Sequence, residues 1–297
     1  MRIFITGGTG LIGSALINQL LNLGHHITVL TRNTAKAKLK LGDKVEFCST
    51  LDSFTTLNGY DAVINLAGEP IIGKRWSKQQ KERLCNSRWG ITERLTELIN
   101  KSNQPPQVFI SGSAVGYYGA QDENRLTEDS PPHDEFLHQL CKKWEQLALN
   151  AQSNRTRVCI SRTGIVIAKE GGMFPLMVLP FRWGLGAVFG TGKQYTSWIH
   201  IQDMVNGIIF LLNTPEAEGV FNFTAPNPTP NRFFANTLAA TLSRPRIFCI
   251  PAFLLKMVME EMSTMIVDGQ RVIPKKLKDL NYHFSYEKLD EAFKNVI

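Results

Sequence analysis

The chain opens on five β-favouring residues, Arg2–Thr6, followed by a glycine-rich turn, Gly7–Gly13. Leucine and isoleucine then recur at helical spacing over Ser14–Leu23, and Gly24 ends the run. Ile27–Leu30 is a second β-rich segment, so the first thirty or so residues predict a βαβ unit. Short apolar runs return at Val45–Cys48, Ala62–Leu66, Val108–Ile110 and Arg157–Ile160. Helical periodicity fills Lys78–Ile99 and Glu135–Ala151. Strands alternating with helices predict an α/β fold, a doubly wound parallel sheet covered on both faces. Thr34–Gly42 and Gly119–Asp134 are polar and read as surface connections.

The pattern changes after Gly164. Gly171–Gly192 mixes glycine, aromatic residues and two prolines, and reads as irregular. Met204–Leu212 predicts a helix that starts near Gln202 or Asp203, and Phe221–Thr224 a short strand. Asn231–Leu242, Phe253–Met265 and Leu277–Leu280 read as helical. The expected division is a dinucleotide-binding core over residues 1–165. A smaller, mostly substrate-side domain follows over 166–297, interleaved with late core elements.

Composition narrows the function classes. Apolar residues make up 43% and charged residues 20% of the 297, which is ordinary for a soluble globular protein. The opening run MRIFITGG is too short for the apolar part of a signal peptide, and Val205–Leu212 is far short of a membrane span. A soluble, cytoplasmic protein with no membrane partner is expected, as a monomer or homodimer. The five cysteines form no CxxC pair, which argues against a metal site or redox dithiol and for isolated thiols in a reducing compartment. The net charge of +7 is spread along the chain, with local groups only at Lys36–Lys44 and Lys275–Lys278. No nucleic-acid partner is expected. The positives read either as a solvated basic face or as charge that helps draw in an anionic cofactor or substrate.

The chemistry starts at the glycine turn. Gly7, Gly10 and Gly13 frame Thr9, Leu11 and Ile12 between a strand and a helix. Glycines in this order permit a tight reversal, a close approach of backbone to a pyrophosphate, and close packing of helix on strand. The helix beginning near Leu11 directs free N–H groups at the phosphates. At the end of the second strand an NAD site usually carries an acid. Here the residues are Thr31, Arg32 and Asn33. A guanidinium there suits a ribose 2′-phosphate, so the expected cofactor is NADP(H). Asp52, after the third strand, is placed near the adenine.

Taken together with further motifs, the chain resembles the extended short-chain dehydrogenase/reductase superfamily, within it the atypical YfcH-like group of epimerase family proteins. The motifs are GGTGLIG at Gly7–Gly13, NLAGEPI at Asn65–Ile71, Ser87-Arg88, SGSAVGYYG at Ser111–Gly119, SRTGIV at Ser161–Val166, SWIHIQD at Ser197–Asp203 and GQRVIPKKL at Gly269–Leu277. The resemblance implies a Rossmann core with a C-terminal substrate domain. It also places Leu66, Ala67 and Gly68 beside the cofactor, Arg88 at a cofactor-associated helix position, and Val166 near the nicotinamide.

The same resemblance implies a serine, tyrosine and lysine for catalysis, and here the chain departs. Ser113 matches the serine and is expected to offer the substrate a polarising hydrogen bond, but the helical Tyr-x-x-x-Lys pair aligns with Gln139 and Lys143. A carboxamide cannot exchange a proton as a phenol does. Tyr117 and Tyr118 come just after Ser113, and either could serve as a substitute acid, with Tyr117 preferred. Thr196 replaces an arginine that in sugar-nucleotide enzymes meets substrate phosphate, leaving Arg75, Arg182 and Lys193 as candidate contacts for an anionic small molecule. His200 reads more readily as a structural hydrogen-bonder than as a base. Two function classes stand: an NADP(H)-dependent oxidoreductase or epimerase, and a cofactor-bound sensor or interaction protein that no longer catalyses.

Overall fold

The computed structural model describes all 297 residues. Six strands and four helices alternate along the first half: β1 (Arg2–Thr6), α1 (Leu11–Asn22), β2 (His26–Leu30), α2 (Thr34–Leu41), β3 (Val45–Cys48), β4 (Ala62–Asn65), α3 (Lys78–Asn100), β5 (Val108–Ala114), α4 (Phe136–Leu149) and β6 (Arg157–Thr163). The chain then leaves the sheet through α5 (Phe174–Arg182). It returns with α6 (Ile201–Asn213) and β7 (Gly219–Phe223), and leaves again through α7 (Asn231–Thr241) and α8 (Ala252–Met259). The seven strands form one parallel sheet in the order β7-β6-β5-β4-β1-β2-β3.

Alternation along each strand builds two cores. Ile3 and Ile5 of β1 face one side with Ile27, Val29, Ile64 and Ile110, and there Leu16, Ile17 and Leu20 of α1 meet Ile208 and Leu211 of α6. Phe4 points the other way, with Val63, Phe109 and Val158, onto Leu95 and Leu98 of α3 and Ala148 of α4. A sheet buried on both faces in this way yields nearly continuous apolar strands, as the sequence shows. A third core sits on the substrate side, where Phe174, Val178 and Phe181 of α5 pack with Phe234 and Leu238 of α7 and Phe293 near the C-terminus.

Three expectations are corrected. Thr34–Gly42 contains the helix α2, whose lysines mask two buried residues four apart, Ala37 and Leu41; the Asn33 side chain caps it by accepting from the Lys36 N–H at 2.9 Å. Gly171–Gly192 is not irregular, since it holds α5 and a strand, Gly186–Phe189, that pairs in parallel with Arg246–Ile250. Pro175 lies in the first turn of α5, where no intrahelical donor is needed. The helix expected over Phe253–Met265 ends at Met259, because Glu260 takes a φ of 50°. It continues as one 3-10 turn and a four-residue helix.

The C-terminal segment is stitched back to the core. The buried Asp203 carboxylate accepts from the N–H groups of Ser285 and Tyr286 at 2.7 and 2.9 Å, and the Tyr282 hydroxyl donates to the Asp203 carbonyl at 3.0 Å. Residues after Gly269 thus share one core with α6 and β7, and no linker separates the two halves.

Candidate functional site: a dinucleotide cradle and a buried ion pair

Parallel strands put all their carboxyl ends at one edge, and the strand order reverses between β1 and β4. Ligands of such sheets bind at that switch point. Gly7, at the end of β1, has φ 69°, and a Cβ there would lie 2.4 Å from the Leu66 carbonyl oxygen. A Cβ on Gly13 would lie 2.3 Å from the Gly7 oxygen. Gly10 differs: its added Cβ meets only the Gly7 oxygen, at 3.1 Å, and otherwise faces open space. Two of the three glycines are therefore required by the protein's own backbone, and the third leaves a cradle open. No side chain caps α1. The first-turn N–H groups of Leu11, Ile12 and Gly13 are left for an outside acceptor. The Lys40 ammonium donates to the Thr9 carbonyl at 2.8 Å and pins α2 against the turn.

Thr31, Arg32 and Asn33 follow β2 at the same edge. Asn33 is spent as the α2 cap and Lys38 pairs with Asp43 at 2.9 Å, while Arg32 is exposed and has no side-chain partner. No acid occurs from His26 to Gly42. Asp52 lies beyond β3, its exposed carboxylate accepting from the Thr50 hydroxyl at 2.7 Å.

The loop after β4 is held from below. The buried Asn65 side chain accepts from the Thr6 hydroxyl at 2.6 Å and donates to that of Thr92 at 2.8 Å, tying β1, β4 and α3 together. The Thr6 oxygen in turn accepts from the Ala67 N–H at 3.3 Å. Arg88 is buried beneath Leu66–Gly68. Its guanidinium donates to the carbonyls of Leu84 and Glu69 at 3.0 and 2.9 Å, and a Cβ on Gly68 would lie 2.9 Å from its Cζ. Arg88 thus shapes the loop after β4 from below. Burial pulls its pKa below the ordinary guanidinium value, and no carboxylate pairs with it.

The catalytic expectations fare differently from one another. Gln139 and Lys143 lie on the solvent side of α4, where Gln139 donates to Asp134 at 3.2 Å and the Lys143 ammonium sits 4.3 Å from the Trp89 ring centroid. The reason is the helix's apolar stripe through Leu137, Leu140, Cys141 and Trp144, which turns the opposite face outward. The α4 side chains beside Ser113 are Cys141 and Glu145. Burial pushes the Cys141 thiol up to about 12, so it stays a thiol.

Ser113 is buried, and its hydroxyl donates to Glu145 at 2.6 Å. Its proton is therefore committed to a carboxylate, a better acceptor than a substrate carbonyl. This corrects the expectation that Ser113 offers a polarising hydrogen bond. Glu145 also takes a bidentate pair from Arg162 of β6, Nε at 2.9 Å and Nη2 at 2.8 Å, with both side chains buried. Arg162 Nη1 donates to the Tyr118 hydroxyl at 3.0 Å, and that hydroxyl donates to Asn222 at 2.7 Å. Burial pushes Tyr118 up to about 12, so it remains a neutral bridge. Tyr117 is half-buried, with the Arg162 guanidinium carbon 3.4 Å from its ring centroid and His138 packed edge-on. Its hydroxyl is engaged by no side chain of the protein.

Sequence reasoning missed this network. The signal was an acid on the inner face of an amphipathic helix together with an arginine inside an apolar strand. Each is too costly to bury alone, so each implies the other.

On the substrate side, Val166 belongs to a short strand, Ile165–Ile167, that pairs with Trp198–His200. The following loop reaches the glycine turn, since a Cβ on Gly172 would lie 3.0 Å from a Leu11 methyl. His200 is structural. Its Nδ1 accepts from the Gln202 N–H at 3.1 Å to cap α6, its ring lies on Tyr286, and burial lowers its pKa to about 4. Arg75 is held by Glu260, while Arg182 and Lys193 are exposed.

The residues at the switch point suit a dinucleotide: an open Gly10, an uncapped helix start and a carboxylate-free β2 end. Comparison with known proteins agrees. Over 295 residues the chain is 37% identical to an epimerase family protein of Staphylococcus aureus (strain MRSA252), covering 99% of this chain and 98% of the relative. A human epimerase family protein crystallised with NADPH superposes with a TM-score of 0.91 at 33% identity, covering 100% of this chain and 99% of that one. A structure described as the nucleoside-diphosphate sugar epimerase of Corynebacterium glutamicum gives a TM-score of 0.79 at 31% identity, covering 98% of this chain and 57% of that one. A domain of unknown function matches residues 250–296. The NAD dependent epimerase/dehydratase family matches residues 3–223, the whole of the sheet that builds the cradle, and the chain belongs to that family.

Proposed function

We propose that this protein is an NADP(H)-dependent oxidoreductase or epimerase acting on a small molecule, with Tyr117 as its acid or base. The observation that carries this reading is the meeting, at one switch point, of the open Gly10 cradle and the carboxylate-free β2 end bearing Arg32. The likeness to a human relative crystallised with NADPH supports the choice of cofactor. The backbone at Leu11–Gly13 would hold the pyrophosphate, Arg32 the 2′-phosphate, and Leu66–Gly68 and Val166 the faces of the cofactor. When bound, the nicotinamide supplies hydride donation or acceptance at a substrate carbon. The chain supplies position and a proton site. Arg162 fixes the Tyr117 ring and leaves its hydroxyl free for a substrate oxygen. Ser113, with its proton on Glu145, can accept a hydrogen bond from a substrate hydroxyl.

A second reading, a cofactor-bound sensor, is favoured by one observation: Ser113 faces Glu145 and Lys143 faces solvent, so the family's usual catalytic groups are not assembled. Substrate-dependent change in nicotinamide absorbance separates the two readings. Once a substrate is found, Tyr117→Phe is expected to cost about a hundredfold or more in turnover, within the usual range for loss of a general acid. Gln139→Ala and Lys143→Ala should leave turnover near wild type. Equal effects of the three would remove Tyr117 from the mechanism.

Cofactor choice needs no substrate. A charge-assisted hydrogen bond contributes roughly 1.5–3 kcal/mol. Arg32→Ala is therefore expected to lower NADPH affinity about ten- to a hundredfold at low salt and to leave NADH nearly unchanged. Fluorescence titration of both cofactors checks this. Equal wild-type affinities would refute the preference. A preference surviving in Arg32→Ala would assign the phosphate to Lys36, because Lys38 is already paired with Asp43.

A further inference from the structure

Eleven of the fifteen exposed large apolar side chains fall between Leu176 and Val258, so the apolar surface is concentrated on the substrate side. Its elements touch one another. The strand Arg246–Ile250 pairs with Gly186–Phe189, which α5 covers through Phe181. A Cβ on Gly184, after α5, would lie 3.8 Å from Pro245, and one on Gly190 would lie 3.6 Å from Ala252 at the start of α8. From this surface Trp183 is 76% exposed, Phe253 67%, Met257 70% and Val258 75%, while Leu255 alone of α8 turns inward. Large apolar side chains gathered in the open on adjoining elements in this way mark an interaction surface.

The charges on its own elements have one sign. The chain carries 26 acidic residues, yet none occurs from Gly171 to Gln202 or from Gly219 to Met259. The cations at the apolar surface are Arg182, Arg244, Arg246 and Lys256, and none of them pairs with a carboxylate. A second copy related by a two-fold axis would bring these like charges together, which disfavours self-association through this face. Glu260 and Glu261, which follow α8, are taken up by Arg75 and Lys81. An aromatic and aliphatic surface whose own elements carry only cations matches the boundary between anionic headgroups and acyl chains.

We propose that this face, formed by α5, the strand Arg246–Ile250 and α8, docks the protein on the surface of an anionic lipid bilayer. The chain does not span it, since no helix is long and apolar enough to cross. The expectation of no membrane partner rested on the missing span, and a surface contact needs none. Phe253, Met257 and Val258 enter the headgroup boundary, and Arg246 and Lys256 meet the phosphates beside them.

The test is co-sedimentation of the full chain with vesicles of phosphatidylglycerol and phosphatidylcholine in equal parts, against phosphatidylcholine alone. Wild type is expected to sediment with the anionic vesicles and to stay in solution with the neutral ones. Phe253→Ser with Met257→Ser should weaken partitioning at least about tenfold, through lost apolar burial. Arg246→Gln with Lys256→Gln should weaken it about fivefold for each charge. Neither pair lies in a core, so melting temperatures should match wild type and separate lost docking from lost folding. Failure of wild type to bind the anionic vesicles overturns the proposal, as does binding that both double variants retain. It is also overturned by a concentration-dependent dimer that the apolar variant dissociates, which would make the occupant a second copy.

Discussion

A Gly10→Leu variant is expected to lose at least about a hundredfold in dinucleotide affinity while melting close to wild type. The geometry makes this unusual pairing of outcomes possible. Gly10 has φ −73° and ψ 178°, a conformation open to any residue. An added Cβ there meets only the Gly7 oxygen, at 3.1 Å, so the turn has to yield by no more than a few tenths of an ångström while the side chain projects into the cradle. Displacing a pyrophosphate from two first-turn N–H groups would cost roughly 1.5–3 kcal/mol for each bond, or about two to four powers of ten in affinity. Gly13→Ala should behave in the opposite way. Its Cβ would lie 2.3 Å from the Gly7 oxygen and 2.7 Å from the Gly8 Cα, both backbone atoms that cannot move alone. That variant should unfold earlier, by about 1–3 kcal/mol or more. Calorimetric titration and thermal melts of both variants distinguish a ligand site from a merely tight turn. Undiminished NADPH binding by folded Gly10→Leu would remove the assignment.

Glu145→Leu is expected to destabilise the protein by about 3–5 kcal/mol, because it leaves the Arg162 guanidinium buried without an anion. Arg162→Met should cost a similar amount by stranding the carboxylate. The double variant should cost well under the sum, since two apolar side chains can share a buried space that one charge cannot tolerate. Urea denaturation of the four proteins measures the coupling. Additive losses would mean that the two groups are solvated independently, against the burial seen here. The same series bears on the proton site, because Arg162 also carries the Tyr117 ring. The double variant should bind NADPH normally, as neither residue touches the cradle.

Much of the fold was legible because it depends on short-range pattern. A βαβ unit has to alternate strand and helix, and a parallel sheet has to be apolar on both faces, so β1 to β6 stood out as short apolar runs. The glycine turn was legible for a related reason: Gly7 and Gly13 are required by contacts within a few residues or with the neighbouring strand. Local reasoning lost α2, where three lysines and a threonine hid a two-residue apolar face. It also lost α5, where glycines, aromatic residues and two prolines suggested irregular structure.

The catalytic region was less legible. Counting along α4 correctly put Gln139 and Lys143 on one face, but no count says which face meets the sheet. That was decided by burial of the stripe through Leu140 and Trp144, which sent Lys143 to solvent and aimed Glu145 at Ser113. By itself the sequence determined a dinucleotide cradle, its place at the first strand and a basic β2 end, because each depends on residues adjacent in the chain. Only the tertiary structure decided that Ser113, Glu145, Arg162, Tyr118 and Asn222 form one buried network, because its members come from five separate segments between residues 113 and 222. Burying a charge costs too much unless a counter-charge arrives with it, and where that partner comes from is settled only when the sheet closes and the helix packs against it.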